Sequence, residues 1–492
     1  MGKHGILIYL CPYLLLLNSI NNNIYNKLVG MTLIKSISGI RGTIGGKVGD
    51  GFSPIDVVRF TSAYGMWLKK RSNKSQPRVV VGRDARISGE MVKNLVLGSL
   101  QGMGIDVIHI GLATTPTTEL AVVHYNADGG LILTASHNPK QWNALKLLNE
   151  KGEFLSAIDG EKVLDIAARE DFDYAVVESL GSVTEDFSFL QNHIDAVLAL
   201  DLVDVEAIKK AKFKVAIDCV NSVGGKVIPV MLKALGVENI LELYCDPSGL
   251  FPHNPEPLPE HLTEISKLIK EQNADVGFVV DPDVDRLAII NEDGSMFGEE
   301  YTLVAVADYV LTHTPGNTVS NLSSTRALRD VTEKHGGVYS ASAVGEVNVV
   351  EKMRQKNAVI GGEGNGGVIY PKSHYGRDAL VGIALFLSHL AKKKKKCSEL
   401  RAEYPTYFMS KNKVELTPDI NVDGILLQMK DKYQLERVTD IDGVKIDFAD
   451  SWVHLRKSNT EPIIRVYSEA PTELEASNLA KSIMDEIYKM AL

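Results

Sequence analysis

The sequence predicts an α/β fold: three similar units of mixed or parallel sheet covered by helices, followed by a smaller α+β unit. Three observations predict it. The chain has 492 residues, too many for one ordinary core and enough for three or four at roughly 150 residues per domain. Apolar, β-branched runs alternate with helical patterns for most of its length, which indicates sheets covered by helices. From residue 406 onward the pattern changes to consecutive strands closed by one amphipathic helix.

In chain order, 78–81, 106–110 and 130–134 read as strands, with a helix over 89–103. A second round holds strands at 214–218, 240–244, 276–280 and 287–291, with a helix over 226–235. A third holds strands at 318–321, 337–341 and 358–360, with helices from Arg326 and near 348–356. The closing unit has strands at 414–416, 439–447, 451–456 and 462–468 and a helix over 473–489. The expected domains are therefore 31–184, 185–296, 297–405 and 406–492. A run of five lysines, 392–396, follows an apolar helix and reads as a solvated helix end, with a nucleic-acid patch as the sharper alternative.

Composition narrows the function. The net charge of −9 argues against a nucleic-acid binder, which normally presents a basic face. A local cluster of Arg and Lys still allows an anionic substrate. The four cysteines, Cys11, Cys219, Cys245 and Cys397, show no metal-ligand spacing and read as structural thiols in a reducing cytoplasm. The apolar run 6–17 is shorter than the ~20 residues that span a bilayer, and no A-x-A-like cleavage site follows it. Met31 immediately precedes the first segment that reads as folded protein, so 1–30 is expected to be a dispensable, non-core extension, with an uncleaved anchor as the alternative.

Four clusters carry chemistry. An apolar strand runs into Thr134-Ala135-Ser136-His137-Asn138-Pro139. Ser136 thus sits at a strand end, where α/β sheets place ligands, but serine needs a partner or a prior modification to act as nucleophile. By itself the segment also reads as an ordinary loop. Asn143 and Lys146 add a donor and a cation within reach of the turn.

The second cluster is Asp281-Pro282-Asp283-Val284-Asp285-Arg286. In an extended segment this spacing points three carboxylates to one side. They repel unless a cation compensates them, and hard oxygens select Mg²⁺ or a similar ion. The third is Gly361-Gly362-Glu363-Gly364-Asn365-Gly366-Gly367, where glycines let backbone approach a ligand and one carboxylate can accept from vicinal hydroxyls; a flexible loop is the alternative. The fourth is Arg456-Lys457-Ser458-Asn459-Thr460-Glu461-Pro462 with Arg465, which reads as an anion-binding turn or a solvated hairpin. Near the start, Ser38-Gly39-Ile40-Arg41-Gly42 adds a glycine-flanked Arg, which pairs with a phosphate or simply marks a turn.

Together, in this order, S-G-I-R-G, T-A-S-H-N-P, D-P-D-x-D-R, G-E-G-N-G-G and R-x-S-N-T-E-P resemble the α-D-phosphohexomutase superfamily over about residues 31–470. The resemblance implies four domains around a central cleft and a phosphoserine at Ser136. It implies one Mg²⁺ per active site, held by Asp281, Asp283, Asp285 and a phosphoserine oxygen. Arg41, Lys146, His137 and Arg286 would act at the reacting phosphate. Glu363 and Asn365 would read sugar hydroxyls. Arg456, Ser458, Asn459, Thr460 and Arg465 would hold the other phosphate. A hexose 1,6-bisphosphate would be the intermediate and activator, with a small phosphosugar as the sole partner.

The sugar loop carries Asn365 and Gly367 where many relatives carry Ser and His. The version here, with Val344-Gly345-Glu346-Val347-Asn348, looks like phosphoglucosamine mutase-type members. Conversion of glucosamine 6-phosphate to glucosamine 1-phosphate is therefore the expected reaction. Phosphomannomutase/phosphoglucomutase activity is the close alternative, and a phosphoserine-type phosphohydrolase the alternative from another class. A cytoplasmic monomer or homodimer is expected, bound to neither membrane nor nucleic acid.

Overall fold

Four sheets account for the strands among the described residues, which in this computed structural model are 32–36, 39–417, 420–457 and 463–491. The first sheet holds β1 (Ile34–Ser36), β2 (Gly39–Thr43), β3 (Arg78–Arg83), β4 (Asp106–Leu112), β5 (Gly129–Leu133), β6 (Trp142–Leu148) and β7 (Val183–Glu185). The second holds β8 (Lys214–Asp218), β9 (Asn239–Leu243), β10 (Val276–Val280) and β11 (Leu287–Asn291). The third holds β12 (Asn317–Asn321), β13 (Tyr339–Ser342), β14 (Ala358–Glu363) and β15 (Gly367–Ile369). The fourth, antiparallel throughout, holds β16 (Phe408–Glu415), β17 (Arg437–Thr439), β18 (Val444–Asp447), β19 (Trp452–Lys457) and β20 (Ile463–Ala470).

The first three sheets repeat one topology. β6-β5-β3-β4, β11-β10-β8-β9 and β15-β14-β12-β13 have the same order, with three parallel strands and a fourth turned back antiparallel against the third. In the first two sheets the parallel strands are largely apolar runs such as Val-Gly-Phe-Val-Val of β10, buried along its whole length, as expected of strands covered on both faces. By contrast β12, Asn-Thr-Val-Ser-Asn, is mostly polar, though four of its five residues are buried. The polar cluster read from sequence in each unit falls between its third and fourth strands. Ser136 follows β5, the Asp triplet follows β10, and the glycine-rich run spans the end of β14 and the turn into β15.

Local chemistry fixes the covering helices. Helix Pro54–Arg71 starts on a Ser53–Asp56 capping box with proline in its first turn, and ends on Lys69, Lys70 and Arg71. Helix Ala379–Lys393 is capped by Asp378, whose carboxylate accepts from the Leu380 and Val381 amides at 2.8 and 3.3 Å. Its flank is buried on all sides, within one apolar cluster that runs from the second sheet into the third. Helix Glu473–Ala491 covers the fourth sheet.

Three expectations change. The segment around Arg41 is the hairpin β1–β2, added to the sheet through β6. The stretch 439–447 is not one strand: it holds the last residue of β17, a turn and the antiparallel β18, because Gly443 at φ +72° reverses the chain, and a Cβ there would meet the Leu455 carbonyl. β16 begins at Phe408, well before 414, since all eight of its residues pair with β20. The lysine run is the expected solvated helix end, with all five lysines exposed and Lys392 and Lys393 reaching Asp204 at 3.3 Å and Glu403 at 2.6 Å on the surface. The 1–30 segment, Ser38 and 458–462 lie outside the described residues.

Candidate active site

The chain leaves β5 at Leu133 and turns sharply. Ser136 has φ +48°, a left-handed conformation that costs a non-glycine residue roughly 1–2 kcal/mol. Neighbours hold it there. Its amide donates to Thr134 Oγ1 at 2.9 Å, and Thr134 Oγ1 donates to Asp84 Oδ2 at 2.6 Å. Arg86, 1% exposed, donates to four carbonyls of the same loop: Ser136 at 2.5 Å, Asn138 at 2.6 Å, Pro139 at 2.8 Å and Trp142 at 3.0 Å. Its Nε donates to Asp84 Oδ2 at 3.0 Å. The serine that results is nearly buried, and its Oγ donates to Asp281 Oδ2 at 2.7 Å across to the second sheet.

Asp281, Asp283 and Asp285 are fully buried and offer ligand oxygens within 4.8 Å of one another. The segment is a tight turn with Val284 at φ +61°, so the carboxylates converge by turning rather than by strand alternation. Asp281 Oδ1 accepts from the Asp285 and Arg286 amides at 3.2 and 3.1 Å. Asp283 Oδ2 accepts from Thr115 Oγ1 at 2.6 Å and from Lys146 Nζ at 2.7 Å. Oδ1 of Asp283 and of Asp285 is buried without a hydrogen-bond partner. Two orphaned hard oxygens beside a third carboxylate suit a divalent cation, so the residues fit Mg²⁺.

The electrostatics agree. Burial, then the charges of Asp285 and Asp283, push the Asp281 carboxyl well above its usual range. Burial acts the same way on Asp283, but the Lys146 ammonium and the hydrogen bonds from Lys146 and Thr115 outweigh it and hold that group below the range. Asp283 and Asp285 raise Lys146 despite its burial, so it stays charged.

Arg377 joins the triplet to the glycine-rich loop. Its guanidinium donates to Asp285 Oδ2 at 2.6 Å, Glu363 Oε2 at 2.8 Å and Glu346 Oε2 at 3.0 Å. Glu363 Oε1 accepts from Asn321 Nδ2 at 2.8 Å and from the Gly345 amide at 3.1 Å. Asn365 accepts from the Gly367 amide at 3.2 Å. The glycines here serve the protein as well as any ligand. At Gly364 a Cβ would meet Glu300 Oε2 at 1.9 Å, and at Gly366 (φ +86°) it would meet the Leu287 carbonyl at 2.4 Å.

Cations gather around the serine loop. Arg41 Nη1 donates to Asn138 Oδ1 at 3.5 Å, and its Nε is buried and unpartnered. Burial, then Arg286 and Arg465, lower the Arg41 pKa, so guanidinium groups of the first, second and fourth units converge. His137 Nδ1 lies 3.4 Å from Ser136 Oγ, and burial with Arg286 holds that imidazole uncharged. Arg456 and Arg465 stand directly opposite on β19 and β20, a like-charge pairing that Asp442 relieves in part by pairing with Arg456 at 3.0 Å.

The structure thus brings Ser136, His137, Lys146, Arg41, Arg286 and the triplet together, with Glu363 linked through Arg377. Asn143 turns away, donating to Ser88 Oγ at 2.9 Å. Ser458, Asn459 and Thr460 lie outside the described residues. Arg86, Thr115, Glu346 and Arg377 were not singled out from sequence as site residues. For Arg86 the Asp two residues before it, in Asp84-Ala85-Arg86, was the available signal, whereas the carboxylates that Arg377 binds are all distant in sequence.

Models of phosphoglucomutase/phosphomannomutase α/β/α domains I, II and III match residues 33–174, 191–294 and 298–407, and that of the C-terminal domain matches 411–486. A phosphoglucomutase/phosphomannomutase of Thermococcus kodakarensis is 37% identical over 458 residues, 91% of this chain and 99% of that protein. The chain belongs to the phosphoglucomutase/phosphomannomutase family. Members of this family are phosphohexomutases, intramolecular phosphotransferases with an acidic metal-binding triplet, and this chain is one of them. A phosphoglucosamine/phosphogalactosamine mutase of Sulfurisphaera tokodaii is 31% identical, covering 92% of this chain and 97% of that one. A phosphoglucomutase/phosphomannomutase family protein from Burkholderia thailandensis shares the fold, with TM-score 0.79 at 23% identity over 94% of this chain and 97% of that one. The two curated relatives are named as mutases and lend the phosphohydrolase alternative no support. Among the described residues no helix is long and apolar enough to cross a membrane.

Proposed function

We propose that this phosphohexomutase carries its phosphoryl group on Ser136 and converts glucosamine 6-phosphate to glucosamine 1-phosphate. The observation that carries the serine's role is its Oγ, held in a left-handed turn 2.7 Å from Asp281 Oδ2. Phosphate monoesters hydrolyse extremely slowly, so transfer needs charge neutralisation and alignment. Mg²⁺ held by Asp281, Asp283, Asp285 and a phosphoserine oxygen would supply neutralisation. Arg41, Lys146 and Arg286 steady the phosphoryl oxygens and serve proton transfer, and uncharged His137 positions the serine. The enzyme gives its phosphoryl group to the free sugar hydroxyl, and the hexose 1,6-bisphosphate turns end for end before the other phosphate returns to Ser136.

Glu363 and Asn365 read hydroxyls, while Arg456, Arg465, Ser458, Asn459 and Thr460 hold the phosphate that is not reacting. We divide the chain for these tasks at 31–184, 185–296, 297–405 and 406–492, beyond an N-terminal extension, 1–30. The free thiols Cys219, Cys245 and Cys397 suit a cytoplasmic monomer or homodimer.

The amino-sugar preference rests on the glycine-rich loop, with its Asn365 and Gly367, and on the Sulfurisphaera relative. The 37% identity to the Thermococcus protein favours phosphomannomutase/phosphoglucomutase activity as the second reading. A coupled assay with glucosamine, glucose and mannose 1-phosphates decides: glucosamine 1-phosphate should give the highest kcat/KM, and a higher value for glucose or mannose rejects the preference. Intact mass should show one phosphoryl group that Ser136→Ala removes together with activity. An active, unphosphorylated Ser136→Ala protein would end the phosphoserine reading.

A further inference from the structure

A chain of net charge −9 gathers positive charge in one cavity away from the serine. The cavity, about 270 Å³, lies between β13, the edge of the third sheet, and β17–β18, the edge of the fourth. Arg326, Arg329, Lys352, Lys356, Arg437 and Lys445 line it, against the single carboxylate of Asp447. None of the residues assigned to the serine, the triplet, the sugar loop or the distal phosphate lines it.

These cations lack close counter-charges. Among the described residues Lys352, Lys356 and Arg437 form no ion pair. Arg329 comes no nearer than 3.9 Å to Asp330 and Asp447. The Arg326 guanidinium donates once, from Nη2 to the Ala449 carbonyl at 2.9 Å, its Nε and Nη1 are buried without a partner, and its amide donates to Glu469 Oε1 at 3.0 Å. Lys445 is 6% exposed, donates to the Leu322 carbonyl at 2.8 Å and lies 4.0 Å from the centre of the Trp452 ring. Its burial pushes the ammonium pKa down to about 8.

Buried donors without acceptors are costly, and like charges gathered without a counter-charge repel. A bound anion relieves both at once. Guanidinium forks from Arg326 and Arg329 match the oxygens of a phosphoryl group, and the hydroxyls of Ser340 on β13 and Thr439 on β17 line the cavity from its two sides. The volume suits a small molecule and leaves no room for a polymer.

We propose that this cavity is a second anion site, distinct from the reaction centre, which binds a pyrophosphate or a small phosphorylated metabolite between the third and fourth sheets. A ligand there bridges arginines and lysines of both sheets and braces the joint across which Arg456 and Arg465 face the rest of the active site.

Calorimetric titration of the full-length protein with inorganic pyrophosphate, magnesium being chelated, tests it. The wild type should show two binding events, one of which glucose 1,6-bisphosphate displaces from the reaction centre. In Lys352→Glu/Arg437→Glu the other event should weaken at least tenfold, while kcat/KM for phosphosugar without pyrophosphate stays within twofold. The same reversal at Lys394 and Lys395 should leave both events unchanged. Displacement of all binding by the bisphosphosugar, unaltered binding in the first variant, or equal weakening in both variants overturns the proposal. Lys352 and Arg437 are more exposed than Lys445, and far-ultraviolet circular dichroism verifies that the variants fold.

Discussion

Arg377 Nη2 donates to Asp285 Oδ2 at 2.6 Å, so a cation already occupies one face of the carboxylate triplet. The same guanidinium holds Glu363 and Glu346. Removing one partner of a buried charge network costs roughly 3–5 kcal/mol, so Arg377→Ala should lower thermal stability. It should also bind Mg²⁺ more tightly, because a like charge has gone, yet turn over more slowly with a raised KM, because Glu363 has lost its anchor. Arg377→Lys should lie between. Calorimetry with Mg²⁺ alone provides the independent readout, and weaker metal binding by Arg377→Ala would contradict the account.

Metal dependence follows from the two orphaned oxygens on Asp283 and Asp285. Chelation should abolish activity and lower Tm, and Mg²⁺ should restore both, since a ligand specific for the native state stabilises it by mass action. Asp283→Asn should lose most of the Mg²⁺-induced rise in Tm. An equal rise in that variant would place the ion elsewhere.

The Ser136 turn depends on Arg86 and Asp84. Arg86→Ala leaves the buried Asp84 without its cation and four loop carbonyls short of their shared donor. The expected cost is about 3–5 kcal/mol. Hydrogen exchange should speed up over 134–142 more than in β8–β11, and kcat should fall further than the change in KM explains. Exchange confined to other segments would refute this role.

His454 couples stability to pH. Its Nε2 lies 2.7 Å from the Asp442 carbonyl, which requires the proton there, leaving Nδ1 to accept from Ser323 Oγ at 2.9 Å. Burial, chiefly, pushes its pKa down to about 4. The unfolded chain, with an ordinary value near 6.5, takes up the proton first. The contribution is therefore complete above pH 6.5 and is lost as pH falls toward 4, by roughly 3 kcal/mol at about 1.4 kcal/mol per unit. The stability difference between wild type and His454→Gln should shrink over that window. A constant difference from pH 7 to pH 4.5 would exclude the coupling.

What the sequence discloses and what it conceals divide along chain separation. The triplet was legible because its carboxylates sit within a few residues, after a strand whose apolar run marks its own end, whereas Ser136 by itself read equally as an ordinary loop and stood out only beside the other clusters. Ser136 and Asp281 are 145 residues apart, and their contact belongs to tertiary structure alone. Thr115 reaches Asp283 across 168 residues and Arg377 reaches Asp285 across 92, so neither local period nor local spacing could single them out. The β17–β18 reversal was hidden for another reason: β-branched and charged residues continue through Gly443, and only its positive φ breaks the run.

The repeated sheet order has a consequence for how the site is tuned. Serine, carboxylates and glycine-rich loop are three copies of one architectural position, each the tip of a hairpin on its own sheet. The site resembles a tripod whose feet are separately anchored. No single hairpin contains the geometry of the reaction, so substitutions at the seams between sheets should alter turnover as surely as those at the tips, while leaving each leg intact.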